Sequence, residues 1–69
     1  MMRYEYINPL CQLGYEQYDL CIFDETDTCV SRFSKAFPEG VSLTEMADYA
    51  TTMMASVEAA MALGQQEAA

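Results

Sequence analysis

Carboxylates are the groups best placed to act in this chain. Eleven Asp and Glu stand against three Lys and Arg, with no His, so 69 residues carry a formal net charge of −8. Glu16, Asp19, Asp24, Glu25 and Asp27 fall on an expected hairpin and its turn, and Glu39, Glu45 and Asp48 fall at an expected helix entrance. Residues two apart on a strand lie about 6.6 Å apart, a spacing of the same order as that of phosphates along one nucleic-acid strand. A sheet edge and turn lined with carboxylates can therefore offer charge to a basic groove much as a nucleic acid does. Glu45 and Asp48 also have a structural role, since acids favour the positive end of a helix dipole. Nucleic acid and anionic membrane surfaces would meet like charge, so a basic protein is the expected counterpart.

The remaining chemistry is sparse. Asp24, Thr26 and Thr28 alternate oxygens as a calcium loop does, but Cys29 stands where that loop needs Gly and Lys35 where it needs Glu. Cys11, Cys21 and Cys29 form no CxxC pair and have no His to complete a zinc site. An odd thiol count fits reduced cysteines better than a disulfide framework. Cys21 within a strand reads as a small apolar residue. No Gly-rich phosphate loop and no nucleophile–base pair is visible. The expectation is a protein that is not an enzyme, with no cofactor and no metal.

The elements that must position the carboxylates follow from periodicity. Residues 1–69 read as one small acidic domain, 52% hydrophobic and 20% charged, which is too apolar for a disordered acidic tail. Residues 2–7 alternate charged and aromatic side chains and read as a strand that Asn8-Pro9 ends. Residues 10–14 read as a connection, at most one helical turn, closed by Gly14. In residues 15–23, Tyr18, Leu20 and Ile22 share one side of a strand, with Tyr15, Gln17, Asp19, Cys21 and Phe23 on the other. Residues 24–27 are a polar turn, and 28–33 read as the returning strand. Residues 34–40 read as a connector punctuated by Pro38 and Gly40, with Phe37 tucked beneath the sheet or helix.

Ser42-Leu43-Thr44-Glu45 matches a capping box. Residues 43–63, rich in Ala and Met, then read as a helix. Its apolar stripe is Leu43, Met46, Ala50, Met53, Met54, Val57, Ala60 and Met61. Gly64 is expected to end it and 65–69 to fray. The fold class is α+β: a three-stranded antiparallel sheet, made of a hairpin plus the N-terminal strand, covered by one long C-terminal helix. The stripe also has heptad character and can serve a homodimer as well as a sheet. Five tyrosines suit either a pleated surface or an interface. The mixed start Met1-Met2-Arg3-Tyr4-Glu5 does not read as a signal peptide, and residues 53–63 are too short to span a bilayer. A cytoplasmic protein is expected.

Brevity, the Asp24-Glu25-Thr26-Asp27 hairpin turn, the capped C-terminal helix and the acidity together resemble small phage-encoded anti-CRISPR proteins. The likeness is closest to those acting on type I, particularly type I-C, systems. It covers the whole chain and rests on composition and layout, since that class has no diagnostic motif. The resemblance implies a protein of the bacterial host cytoplasm that imitates DNA. It would engage, through Asp19, Asp24, Glu25, Asp27, Glu39, Glu45 and Asp48, basic residues of a Cas subunit in a type I surveillance complex, such as the large subunit that reads the protospacer-adjacent motif. A monomer is expected, with a homodimer as the other possibility. The competing reading is a small acidic structural or regulatory protein that associates through its Met-rich helix. An antitoxin-like partner of a basic toxin would share the same electrostatics.

Overall fold

The computed structural model describes residues 2–68, with side chains through Gly64. Strands β1 (Arg3–Gln12), β2 (Tyr15–Phe23) and β3 (Cys29–Pro38) precede a single helix, α1 (Leu43–Ala68). The strands form one antiparallel sheet in the order β1-β2-β3. The α+β architecture read from periodicity is the observed one. Several boundaries differ, each for a physical reason.

Asn8-Pro9 does not end β1. Ile7 pairs with Asp19 and Leu10 with Gln17, so Asn8 and Pro9 together oppose Tyr18 as a β-bulge. Asn8 takes a positive φ of 53°, a conformation Asn tolerates better than most residues. Pro9 lacks an amide hydrogen, which matters little at a bulge on an edge strand. Residues 10–12 therefore continue the strand rather than form a helical turn, and Leu13-Gly14 close a two-residue hairpin with Gly14 at φ 91°. That positive φ at the second turn residue is the one glycine supplies at no steric cost.

β3 likewise runs past the expected boundary, through residues 34–37 to Pro38. Phe33, Lys35 and Phe37 stand opposite Leu20, Tyr18 and Glu16, which places them on one face at period two. Val30 is the extra residue of a second bulge, between Ser31 paired with Ile22 and Cys29 paired with Phe23. It packs against the core.

The core lies between one sheet face and α1. Leu20, Ile22 and Ala50 are fully buried and Val57 nearly so, with Tyr4, Tyr6, Val30, Phe33, Tyr49, Met53 and Met54 packed around them. Phe37 is buried beneath the helix entrance, as expected. Ser42 caps α1, its Oγ accepting the Glu45 amide at 3.1 Å. The return bond from the Glu45 carboxylate, the other half of a capping box, is not made. The helix does not stop at Gly64 but continues to Ala68, so the expected fraying of 65–68 is not seen, and Ala69 lies outside the described residues. Nor is the apolar stripe buried throughout. Leu43 is 84% exposed, and from Glu58 to Gly64 every residue is exposed. Residues 58–64, about 10 Å of helix, are thus left without cover. The molecule measures 49 × 18 × 17 Å.

Candidate functional site

The fold sorts the carboxylates into places. Pairing of Tyr15 with Pro38 and of Phe23 with Cys29 sets the 24–28 turn at one end of the hairpin and the β3–α1 connection at the other. Eight residue steps separate these ends, about 26 Å of strand. Glu5, Asp24, Glu25 and Asp27 lie at the turn end with Arg3, a net −3. Glu16, Glu39, Glu45 and Asp48 lie at the helix-entrance end with Lys35, also a net −3. Asp19 sits between them on the sheet face away from the helix, neutralised by Arg32. The seven residues expected to act together are thus divided between two ends and a neutral middle.

At the turn end most carboxylates serve the turn itself. Asp24 Oδ1 accepts from the Thr26 amide at 2.8 Å, the Thr26 hydroxyl at 2.7 Å and the Thr28 amide at 3.1 Å. Those donors, the Thr26 hydroxyl foremost, hold the Asp24 carboxyl below its usual range. Two backbone bonds, Asp27 N to Asp24 O and Asp24 N to Thr28 O, close the turn. Asp27, at φ 63°, accepts from Arg3 Nε at 3.0 Å. The Arg3 guanidinium also lies 3.4 Å from Glu5 and 4.2 Å from the centroid of the Phe23 ring. Glu25 is exposed on the outside of the turn.

In the middle, Asp19 Oδ2 accepts from Arg32 at 2.7 Å and from Asn8 at 3.0 Å, which lowers its pKa, Arg32 contributing most. Cys21 is 4% exposed on this same face. Its burial, then the neighbouring Cys29 thiol, pushes its own thiol up rather than toward the reactive thiolate.

The helix-entrance end is different. Glu16 is tied inward, accepting from the Tyr18 hydroxyl at 2.7 Å and the Gly40 amide at 2.8 Å, and is lowered by both. Glu39, Glu45 and Asp48 are exposed, and among the described residues their carboxylates make no hydrogen bond or ion pair. The one cation at this end, Lys35, turns its ammonium onto the Tyr49 and Phe37 rings, 4.9 and 5.5 Å from their centroids. Beneath lies an aromatic cluster. Tyr6, Tyr18, Phe37 and Tyr49 meet at centroid distances of 5.7 to 6.3 Å, largely edge to face. Tyr6 donates to the Met46 carbonyl at 2.6 Å, and its burial pushes the phenol up to about 12. This platform holds the helix entrance, and with it Glu45 and Asp48, fixed relative to the sheet.

An apolar groove, which periodicity alone did not reveal, runs between β3 and the distal half of α1. Val30, Phe33, Met53, Val57, Ala60 and Met61, with the polar Ser31 and Ser56, line about 560 Å³ of it. Val30 and Phe33 of β3 are only half-buried along it, whereas Phe37, further along the same strand, is buried against Tyr49. Among the described residues no three or more of His, Cys, Asp and Glu gather as a metal site, and no helix is long and apolar enough to cross a membrane. Comparison of the chain with protein-family models, with curated proteins and with solved structures finds no match.

Proposed function

We propose that the protein is an inhibitor that occludes a basic, nucleic-acid-binding protein surface. Following the resemblance of the chain to anti-CRISPR proteins, that surface belongs to a Cas subunit of a type I surveillance complex in the bacterial cytoplasm. The observation that carries the reading is the unpaired acid group at the helix entrance. Glu45 and Asp48 stand on the helix entrance that the aromatic cluster pins to the sheet, Glu39 lies in the connection before it, and each Lys and Arg of the chain is already engaged with other groups. Such a group gains its counter-charge from another molecule.

The magnitude of the charge limits the mechanism. Net −8 along 49 Å is about one charge per 6 Å, whereas a DNA duplex carries one per roughly 1.7 Å. The protein is therefore a dilute imitation. It would cover a patch of a few Lys and Arg and speed encounter by long-range attraction. It would not displace a duplex along its whole track. Tyr and the exposed Leu13 at the hairpin tip, 96% accessible, would supply contact area.

The test is capture of type I surveillance complexes by the tagged protein, followed by target-DNA binding in its presence. The expected result is stable capture and loss of DNA binding. Replacing Glu39, Glu45 and Asp48 together by Gln, Gln and Asn should weaken capture by about tenfold or more, since desolvated charge contacts are each worth on the order of 1 kcal/mol or above. Capture with undiminished DNA binding, or capture indifferent to the triple variant, overturns the reading.

A further inference from the structure

We infer that the groove between β3 and α1 is a self-association surface, seating the distal α1 of a second copy of this chain. Two observations select that occupant. The first is charge. Val30, Phe33, Met53, Val57, Ala60 and Met61 bring no ionisable group to the groove. Glu58, the nearest helical acid among the described residues, lies about 100° round the helix from Val57 and about 60° from Met61, at the rim rather than in the lining. The lining itself gives a basic segment nothing to pair with, and a second acidic chain meets its least repulsive surface there.

The second is self-complementarity. Ala60 and Met61 line the groove and also belong to the stretch of α1 beyond the covered core, where Met61 is 38% and Leu63 56% exposed. One surface is both the hole and the knob that fills it, which is what an isologous two-fold contact requires. Running the two distal helices antiparallel sets each beside the other's β3. The small side chain of Ala60 permits close approach.

The association also gives the exposed residues 58–64 of α1 a packing surface.

This inference does not rest on the proposed occlusion, and it responds to salt with the opposite sign. Two chains of −8 repel, so screening strengthens their association, while screening weakens binding to a basic partner. The experiment is sedimentation equilibrium of the protein alone under reducing conditions, up to about 0.5 mM, a range that registers even millimolar affinity, in low and high salt. A monomer–dimer equilibrium shifting toward dimer as salt rises is expected. Ala60→Glu and Met61→Glu, both at exposed positions, should each return the protein to monomer with an unchanged circular-dichroism spectrum. Gln at the same two positions should weaken the dimer less. A monomer under every condition overturns the inference, and so does a dimer that survives both Glu variants.

Discussion

The two ends of the sheet are built in opposite ways. At the helix entrance the core is closed: Tyr6, Tyr18, Phe37 and Tyr49 interlock under α1, and three of the four carboxylates there, Glu39, Glu45 and Asp48, are left exposed while Glu16 is tied inward. At the turn end the core is open along β3, and the carboxylates are largely occupied in holding the turn together, Asp24 by three donors and Asp27 by Arg3. Equal net charge therefore has unequal meaning. Where packing does most of the fixing, with Glu16 alone holding the Gly40 amide, the other acids are available to another molecule. Where packing is incomplete, acids are part of the structure.

The largest expected contrast is in packing. Phe37→Ala, at the closed end, should destabilise by about 3–5 kcal/mol. Phe33→Ala, beside the groove and only half-buried, should cost clearly less, about 1–2 kcal/mol. Chemical denaturation of the two variants measures this directly, and equal losses would erase the distinction between closed and open ends.

Next comes the turn. Asp24→Ala removes the acceptor of three donors and should lower stability clearly in chemical denaturation. Glu39→Gln or Asp48→Asn should stay within about 0.5 kcal/mol, as surface changes do. A Glu39 or Asp48 variant as damaging as Asp24→Ala would mean that the entrance acids are structural as well.

A smaller effect separates the ends by alkaline pH. Tyr6→Phe removes the bond to Met46 O and should cost about 1 kcal/mol. The folded phenol is raised to about 12 from 10.0. Its contribution is complete below the unfolded value, and stability declines as pH climbs from 10.0 through about 12. Wild-type melting temperature should fall across that window, and Tyr6→Phe should flatten part of the fall.

The smallest effect is acidic. Asp19 and Asp24 are lowered from 3.8 in the folded state, so what they add is present above that value and lost as pH drops through their folded values. Asp24→Asn should therefore make the melting temperature less sensitive to acidification, while the entrance triple variant should leave that sensitivity in place.

Local signals made much of this fold legible. Period two at Tyr18, Leu20 and Ile22 marked the core face of β2, and Ser42 with Glu45 marked the start of α1. Punctuation misled. Asn8-Pro9 reads as a breaker, yet a bulge absorbs it, because Asn8 can take a positive φ and an edge strand does not need the Pro9 amide. Pro38 and Gly40 drew attention from Phe33, Lys35 and Phe37, whose alternation was the available sign that β3 continues. Gly64 costs a helix roughly 1 kcal/mol, a cost that the Ala-rich helix before it bears, so it is not a stop. The carboxylate types were visible, but their division was not: only the pairing register shows that Asp24 and Glu39 stand at opposite ends. The groove was beyond reach for a similar reason, since it depends on where α1 lies across the sheet.

The decisive measurement is affinity for a type I surveillance complex as a function of salt, for wild type and for two variants matched in charge removed. One is Glu39→Gln, Glu45→Gln, Asp48→Asn; the other is Glu5→Gln, Glu25→Gln, Asp27→Asn. The account predicts that wild-type affinity falls steeply with salt, that the entrance variant binds more weakly with a shallower dependence, and that the turn variant stays close to wild type. Affinity that is flat in salt, or a larger loss from the turn variant than from the entrance variant, would contradict it.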